Sequence, residues 1–160
     1  MTPEQSIVAT AIHSWKLQIE RADKLFSGLT DAELRHEVAP GKNRLVYLWG
    51  HLIAVHDAMF PLLGLGERKY ATLDKQFLTE ADDRSADLPS AATLKHAWDD
   101  VHSSLLAAFE KLSAAEWVSK HTVVSAEDFA KNPLRNRISV LFSRTAHVGY
   151  HLGQCALAPK

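Results

Sequence analysis

The chain has almost nothing to cross-link with and no surplus of charge of either sign. A single cysteine, Cys155, among 160 residues excludes an intrachain disulfide and suits a reducing compartment. Lys and Arg number 18 against 19 Asp and Glu, a net charge of −1. No basic excess exists to neutralise a phosphate backbone, and Arg135-Asn136-Arg137 is the densest basic cluster, so no nucleic acid is expected as a partner. Uninterrupted apolar runs fall short of the ~18 residues a bilayer span needs, and no membrane partner is expected. Met1-Thr2-Pro3-Glu4-Gln5 lacks a cationic start followed by an apolar run, so the expected location is cytoplasmic. Strand-like alternation is also missing: Val123-Val124 is the one β-branched pair between turn-compatible residues, and it is too short. What the sequence does have is nine histidines, four tryptophans and 46% apolar residues, enough for one core in a single domain over 1–160.

Four segments carry helical periodicity. Val8, Ile12, Trp15, Ile19, Ala22 and Phe26 form one apolar stripe, opened by Thr2-Pro3-Glu4-Gln5 as cap, first-turn proline and capping-box glutamine, and ended by Gly28. A second helix is expected from about Asn43 to Leu63, with Leu45, Leu48, Leu52, Val55, Met59 and Leu62 inward and Gly64 and Gly66 as terminators. A third is expected over Ala91 to Leu112 under Ser90. The fourth is expected after Asn132-Pro133, with Leu134, Ile138, Leu141, Thr145, Val148 and Leu152 in register. Thr30-Asp31-Ala32-Glu33 and Ser113-Ala114-Ala115-Glu116 read as capping boxes on short helical turns, and a short helix is expected over Ala126–Lys131. Residues 64–90 are long enough to cross a bundle, which allows the third helix to run parallel to the second. Trp15, Phe26, Leu29, Thr30, Ala32 and Glu33 recur in order as Trp98, Phe109, Leu112, Ser113, Ala115 and Glu116, a faint internal repeat.

Among the histidines, His147 and His151 stand four apart on the last helix, about 40° from each other on one face. That is the spacing at which two imidazoles of one helix reach a single metal ion. A third ligand has to come from another helix. His51 lies on the inner edge of the second helix beside Leu52; His56 lies on the other edge, followed by Asp57 as in an ordinary surface pairing. Periodicity prefers neither. His13, His36, His96, His102 and His121 sit in polar contexts and are expected to be solvated. Cys155 extends the ladder 147, 151, 155 into a His-His-Cys alternative, against which stands a small buried hydrophobe near the chain end.

Tyr47-Leu48-Trp49-Gly50-His51-Leu52-Ile53-Ala54 resembles the histidine helix of DinB/YfiT-like proteins, and His147-Val148-Gly149-Tyr150-His151-Leu152-Gly153-Gln154 resembles their closing helix. Phe26 to Leu34 is similar to the connection after their first helix. The resemblance implies an all-α, four-helix bundle of up-down-down-up order with a long crossover between helices two and three. It also implies one divalent metal on His51, His147 and His151, with no counterpart for His56. Imidazole-only ligation suits Zn, Ni or Fe(II). No Glu follows His147, so the general base of H-E-x-x-H peptidases is missing.

The same resemblance implies a metal-dependent enzyme of small molecules, first a thiol-dependent transferase acting on an unidentified electrophile, with a low-molecular-weight thiol as co-substrate. The alternatives are a metal-dependent hydrolase and a non-catalytic, stress-associated metal-binding bundle. In both enzyme readings the nucleophile comes from outside the chain, so the lack of a protein nucleophile is no objection. Gln154, three residues after His151, is a candidate for binding the cofactor or for tying down the helix end. Tyr47, four before His51, is a candidate donor to it or a core aromatic. The expected partner is a small-molecule substrate, and a homodimer is compatible with this reading.

Overall fold

The computed structural model describes residues 1–159, which are all-helical: eight α-helices and no strand, with Glu37–Arg44 and Lys120–Asn136 as isolated bridges. The helices are α1 Pro3–Phe26, α2 Asp31–Leu34, α3 Leu45–Asp57, α4 Met59–Leu63, α5 Ala91–Phe109, α6 Ala114–Trp117, α7 Ala126–Lys131 and α8 Arg137–Cys155. Three of them open on complete capping boxes. Thr2 Oγ1 accepts the Gln5 N–H while the Gln5 side chain accepts the Thr2 N–H, and Thr30/Glu33 and Ser113/Glu116 repeat the arrangement. Each such cap contributes about 1 kcal/mol to fixing where its helix begins.

Two expected boundaries shift for local reasons. The second helix is broken at Ala58 into α3 and α4. Pro61 has no N–H to give the carbonyl of Asp57, and the chain closes past it through Gly64 in the left-handed region (φ 70°). The last helix starts later than expected, at Arg137. Asn136 is the cap, its Oδ1 accepting the Ser139 N–H at 3.0 Å, and Leu134 stays in the preceding turn, 74% exposed.

Ring contacts fix the directions of three helices. Phe26, ending α1, stacks on Trp49 near the start of α3 (5.1 Å between centroids) and meets Trp98 in the first half of α5 at 6.4 Å. Trp15, further back on α1, meets His56 at the end of α3 and Phe109 at the end of α5. Thus α3 and α5 run the same way, opposite to α1. α1 packs along α8, and α3 packs along α5 and touches α8.

α3 is buried almost all round, from Leu45 through Asp57 with only His51 and Val55 half-exposed. Contrary to the sequence expectation, Leu45–Leu63 does reach the length and average hydropathy of a membrane span; 67% of that stretch is buried inside this fold. The segment between α4 and α5 straps across α3 and is pinned at both ends. At one end the fully buried Asp57 carboxylate accepts from Arg68 Nε (2.9 Å), Lys69 N (2.8 Å) and Tyr70 N (3.0 Å). At the other, Asp82 accepts the Arg44 backbone N–H at 2.7 Å and pairs with the buried Arg44 guanidinium, capping α3 from outside. Between the pins, a 3-10 turn (Ala71–Leu73) and a π turn (Lys75–Thr79) lay Phe77 against α3.

Candidate metal centre

Three imidazoles from two helices meet at one point. His147 Nε2 lies 2.9 Å from His151 Nε2 and 3.3 Å from His51 Nε2, and one ring nitrogen of each lies within 4.8 Å of both others. The first distance follows from the i, i+4 spacing on α8. The second requires α3 to dock on α8 with His51 facing it.

Two of the rings are locked in one tautomer. His51 Nδ1 lies 2.8 Å from the Phe77 carbonyl, which only accepts, so Nδ1 carries the proton and Nε2 a lone pair. His151 Nδ1 donates in the same way to Gln154 Oε1 at 2.7 Å. His147 Nε2 thus faces two lone pairs and has at most one proton to offer them. A cation satisfies all three at once. Nitrogens about 2.1 Å from a common tetrahedral ion stand about 3.4 Å apart, close to the spacings here. Burial, aided by its two neighbours and Arg144, pushes the His147 pKa down to about 4; burial lowers that of His151 as well. Both rings are therefore neutral, the ligating form, at neutral pH.

The orienting groups were only partly legible in sequence. Gln154 contacts neighbours on its own helix, its Oε1 accepting from His151 Nδ1 at 2.7 Å and its Nε2 donating to the Tyr150 hydroxyl at 3.2 Å. Tyr47 is no donor to His51: its hydroxyl donates to the Glu80 carbonyl at 2.7 Å, and its ring lies parallel to the imidazole at 6.4 Å. Phe77 has no sequence motif. A signal that could have pointed to it is Gly50, a glycine inside a helix, where it costs about 1 kcal/mol against alanine. A Cβ on Gly50 would stand 2.4 Å from Phe77 Cε1. The missing side chain lets the π turn approach closely enough for its carbonyl to reach His51. Cys155 is buried outside the cluster among Leu25, Leu29 and Leu45, and burial pushes its thiol up to about 12.

Two expectations fail, both beside this centre. His56 is not a surface partner of Asp57, since both are fully buried, and His102 is not solvated but 6% exposed. They bond to each other, His56 Nδ1 to His102 Nε2 at 2.6 Å, and His102 Nδ1 donates to the Trp98 carbonyl at 2.7 Å. A helix enclosed on every side has no solvated edge, so a reading that grants α3 one buried face misplaces His56. His13, His36 and His96 are exposed as expected, and His121 is half-buried.

The family model of the DinB superfamily matches residues 14–155, a span that includes all three clustered histidines. No curated protein matches the chain.

Proposed function

The chain belongs to the DinB superfamily, and on that footing we propose that it is a metal-dependent small-molecule enzyme. Its ligands are His51, His147 and His151, and its reaction is transfer of a low-molecular-weight thiol to an electrophile. The observation that carries this reading is the convergence of three Nε2 atoms, two with their protons fixed on the far nitrogen. No carboxylate or thiol of the described residues completes the set, so coordination positions remain for a substrate. A divalent Zn, Ni or Fe ion held there acts as a Lewis acid that lowers the pKa of a thiol or water.

The chain's own groups hold the ligands. The Phe77 carbonyl aims His51 and Gln154 aims His151, each favouring the tautomer that leaves Nε2 free. One amide hydrogen of Gln154 beyond the bond to Tyr150 is left for a thiol cofactor, which makes Gln154 the cofactor-binding candidate. We further propose that α1, α3 with α4, α5 and α8 form a four-helix bundle of up-down-down-up order, with the strap as the long crossover. The antiparallel run of α1 against α3 and α5 supports that order.

Elemental analysis of the purified protein is expected to give one metal per chain. Thiol consumption with electrophilic substrates is expected from metal-loaded protein and not from apoprotein. Turnover of esters or amides without thiol would make it a hydrolase instead. Stoichiometric metal with neither activity would leave a binding bundle, and no metal at all would overturn the proposal.

A further inference from the structure

α8 carries no Asp or Glu, and α3 only Asp57, whose carboxylate is already spent on Arg68, Lys69 and Tyr70. Arg144 of α8 therefore finds no counter-ion on either helix. It is half-buried and makes no hydrogen bond or ion pair among the described residues; its Nε is sealed from solvent and its two terminal nitrogens are not. The other buried or half-buried arginines all have protein acceptors. Arg44 has Asp82, Arg68 has Asp57 and Asp74, and Arg137 has the carbonyls of Leu63 and Glu116. A guanidinium stays charged at neutral pH, and a partly buried charge without a counter-ion is costly.

Two contacts fix where Arg144 stands. His51 Nε2 lies 3.3 Å from His147 Nε2, and Arg137 Nε donates to the Leu63 carbonyl at 2.8 Å. Residue numbers thus rise along α3 and α4 as they fall along α8. Arg144, one turn before His147, lies past His51 on the Val55 side, with its Cβ about 5–6 Å from that of His147. The strips that face each other, His51 and Val55 on α3 against Val140, Arg144 and His147 on α8, are all half-buried. A seam that solvent reaches therefore runs from the imidazole cluster to Arg144.

We propose that Arg144 determines the specificity of this centre by binding a carboxylate of the small molecule held there, an inference that rests on the function proposed above. The planar guanidinium fork matches the two oxygens of a carboxylate. One positive charge is on offer, because the other Arg or Lys of α3, α4 and α8 is Arg137, and it is spent on carbonyls. A monoanionic carboxylate therefore fits better than a dianionic phosphate. The substrate class is a thiol or an electrophile whose carboxylate lies about one helical turn, ~5 Å, from the atom at the metal. Val55 and Val140 flank that path and suit a short hydrocarbon spacer.

The test reads binding and not turnover. Cobalt-loaded protein is titrated with mercaptopropionate and with its neutral match mercaptopropanol, following the sulfur-to-metal charge-transfer band. The acid is expected to bind roughly 10- to 100-fold more tightly, the range of a charge-assisted contact. In Arg144→Met the two should agree within about threefold. A carboxylate that merely sits on the metal would keep its advantage in that variant, and this result would overturn the proposal. A second arm adds crotonate or crotonamide to protein saturated with mercaptoethanol and compares their affinities. An Arg144-dependent preference in the first arm places the carboxylate on the thiol; one in the second arm alone places it on the electrophile. No preference in either arm overturns the proposal. Arg144→Lys keeps the charge and loses the fork, so its preference should fall roughly threefold or more. That variant carries the test if Arg144→Met fails to fold, and an undiminished preference in it would exclude a direct contact. If the protein binds no metal, the function proposed above fails, and metal-free, nitrogen-15-labelled protein decides Arg144 by itself. A shift of the Arg144 Nε–H resonance on adding propionate would leave the carboxylate site standing, and no shift would remove it too.

Discussion

α3 carries two histidines five residues apart whose surroundings could hardly differ more. His51 joins two rings of α8 so that three ring nitrogens face each other, two of them with their lone pairs fixed inward. His56 joins one ring of α5 in a chain of alternating donors and acceptors that ends on the Trp98 carbonyl. Both arrangements place imidazole against imidazole, and distance alone does not tell them apart: the buried pair is the closer one at 2.6 Å. The protons separate them. Where each donor meets an acceptor, the rings hold one another neutral, and the contact is structural. Where two lone pairs converge with their protons fixed on the far side, the arrangement is compatible with a bound cation.

The sharpest break between the two groups is expected from substituting a ligand. His147→Ala should lose stoichiometric metal, about a thousandfold or more in affinity, whereas His102→Gln should keep one metal per chain, both read by elemental analysis after dialysis. Full metal content in the His147 variant would erase the distinction. Chelation of the wild type should lower the melting temperature while leaving the helical circular-dichroism signal at pH 7. The apolar stripes supply most of the driving force for folding, and unfolding on chelation would make the ion structural.

Acid should act on the buried pair through stability. Burial holds His102 at about 3 and His56 well below its ordinary value, so the folded state binds fewer protons than the unfolded chain between those values and about 6.5. The stability from keeping them neutral is complete above pH ~6.5. It is lost as pH falls towards the folded-state values, by up to about 1.4 kcal/mol per pH unit for each ring. Urea midpoints from pH 7 to 4 should show this slope, and His102→Gln should flatten it. At the metal centre the same range should be milder for His147: with its pKa near 4, protons displace zinc from that ring only as pH approaches 4.

A smaller effect should come from the strap. Gly50→Ala forces Phe77 aside and its carbonyl away from His51, at about 1–3 kcal/mol of stability and roughly tenfold in zinc affinity. An unchanged affinity would remove Phe77 from the site. Cys155→Ser should change zinc affinity by no more than a few-fold, since the thiol lies outside the cluster; a hundredfold loss would restore the His-His-Cys alternative.

Much of this molecule could be read from short spacings, because the forces behind them are local. Thr2/Gln5, Thr30/Glu33 and Ser113/Glu116 are capping boxes closed within three residues, and they appear where the sequence places them. The pairing of His147 with His151 follows from one helical turn. Other boundaries needed backbone bookkeeping the stripe did not supply, such as the break that Pro61 imposes at Ala58 and the cap at Asn136 in place of Asn132.

What only the tertiary structure decided is which groups meet across distance. His51 reaches His147 over 96 residues and Phe77 over 26, and His56 reaches His102 over 46. Hydrophobic periodicity distinguishes the inward from the outward side of a helix that has both. α3 has scarcely any outward side, so the pattern could not say which histidine would face a metal site and which would be walled in. That choice was made by the rotation of α3 between α5 and α8, fixed by the Gly50–Phe77 approach on one side and the tryptophan-lined core on the other.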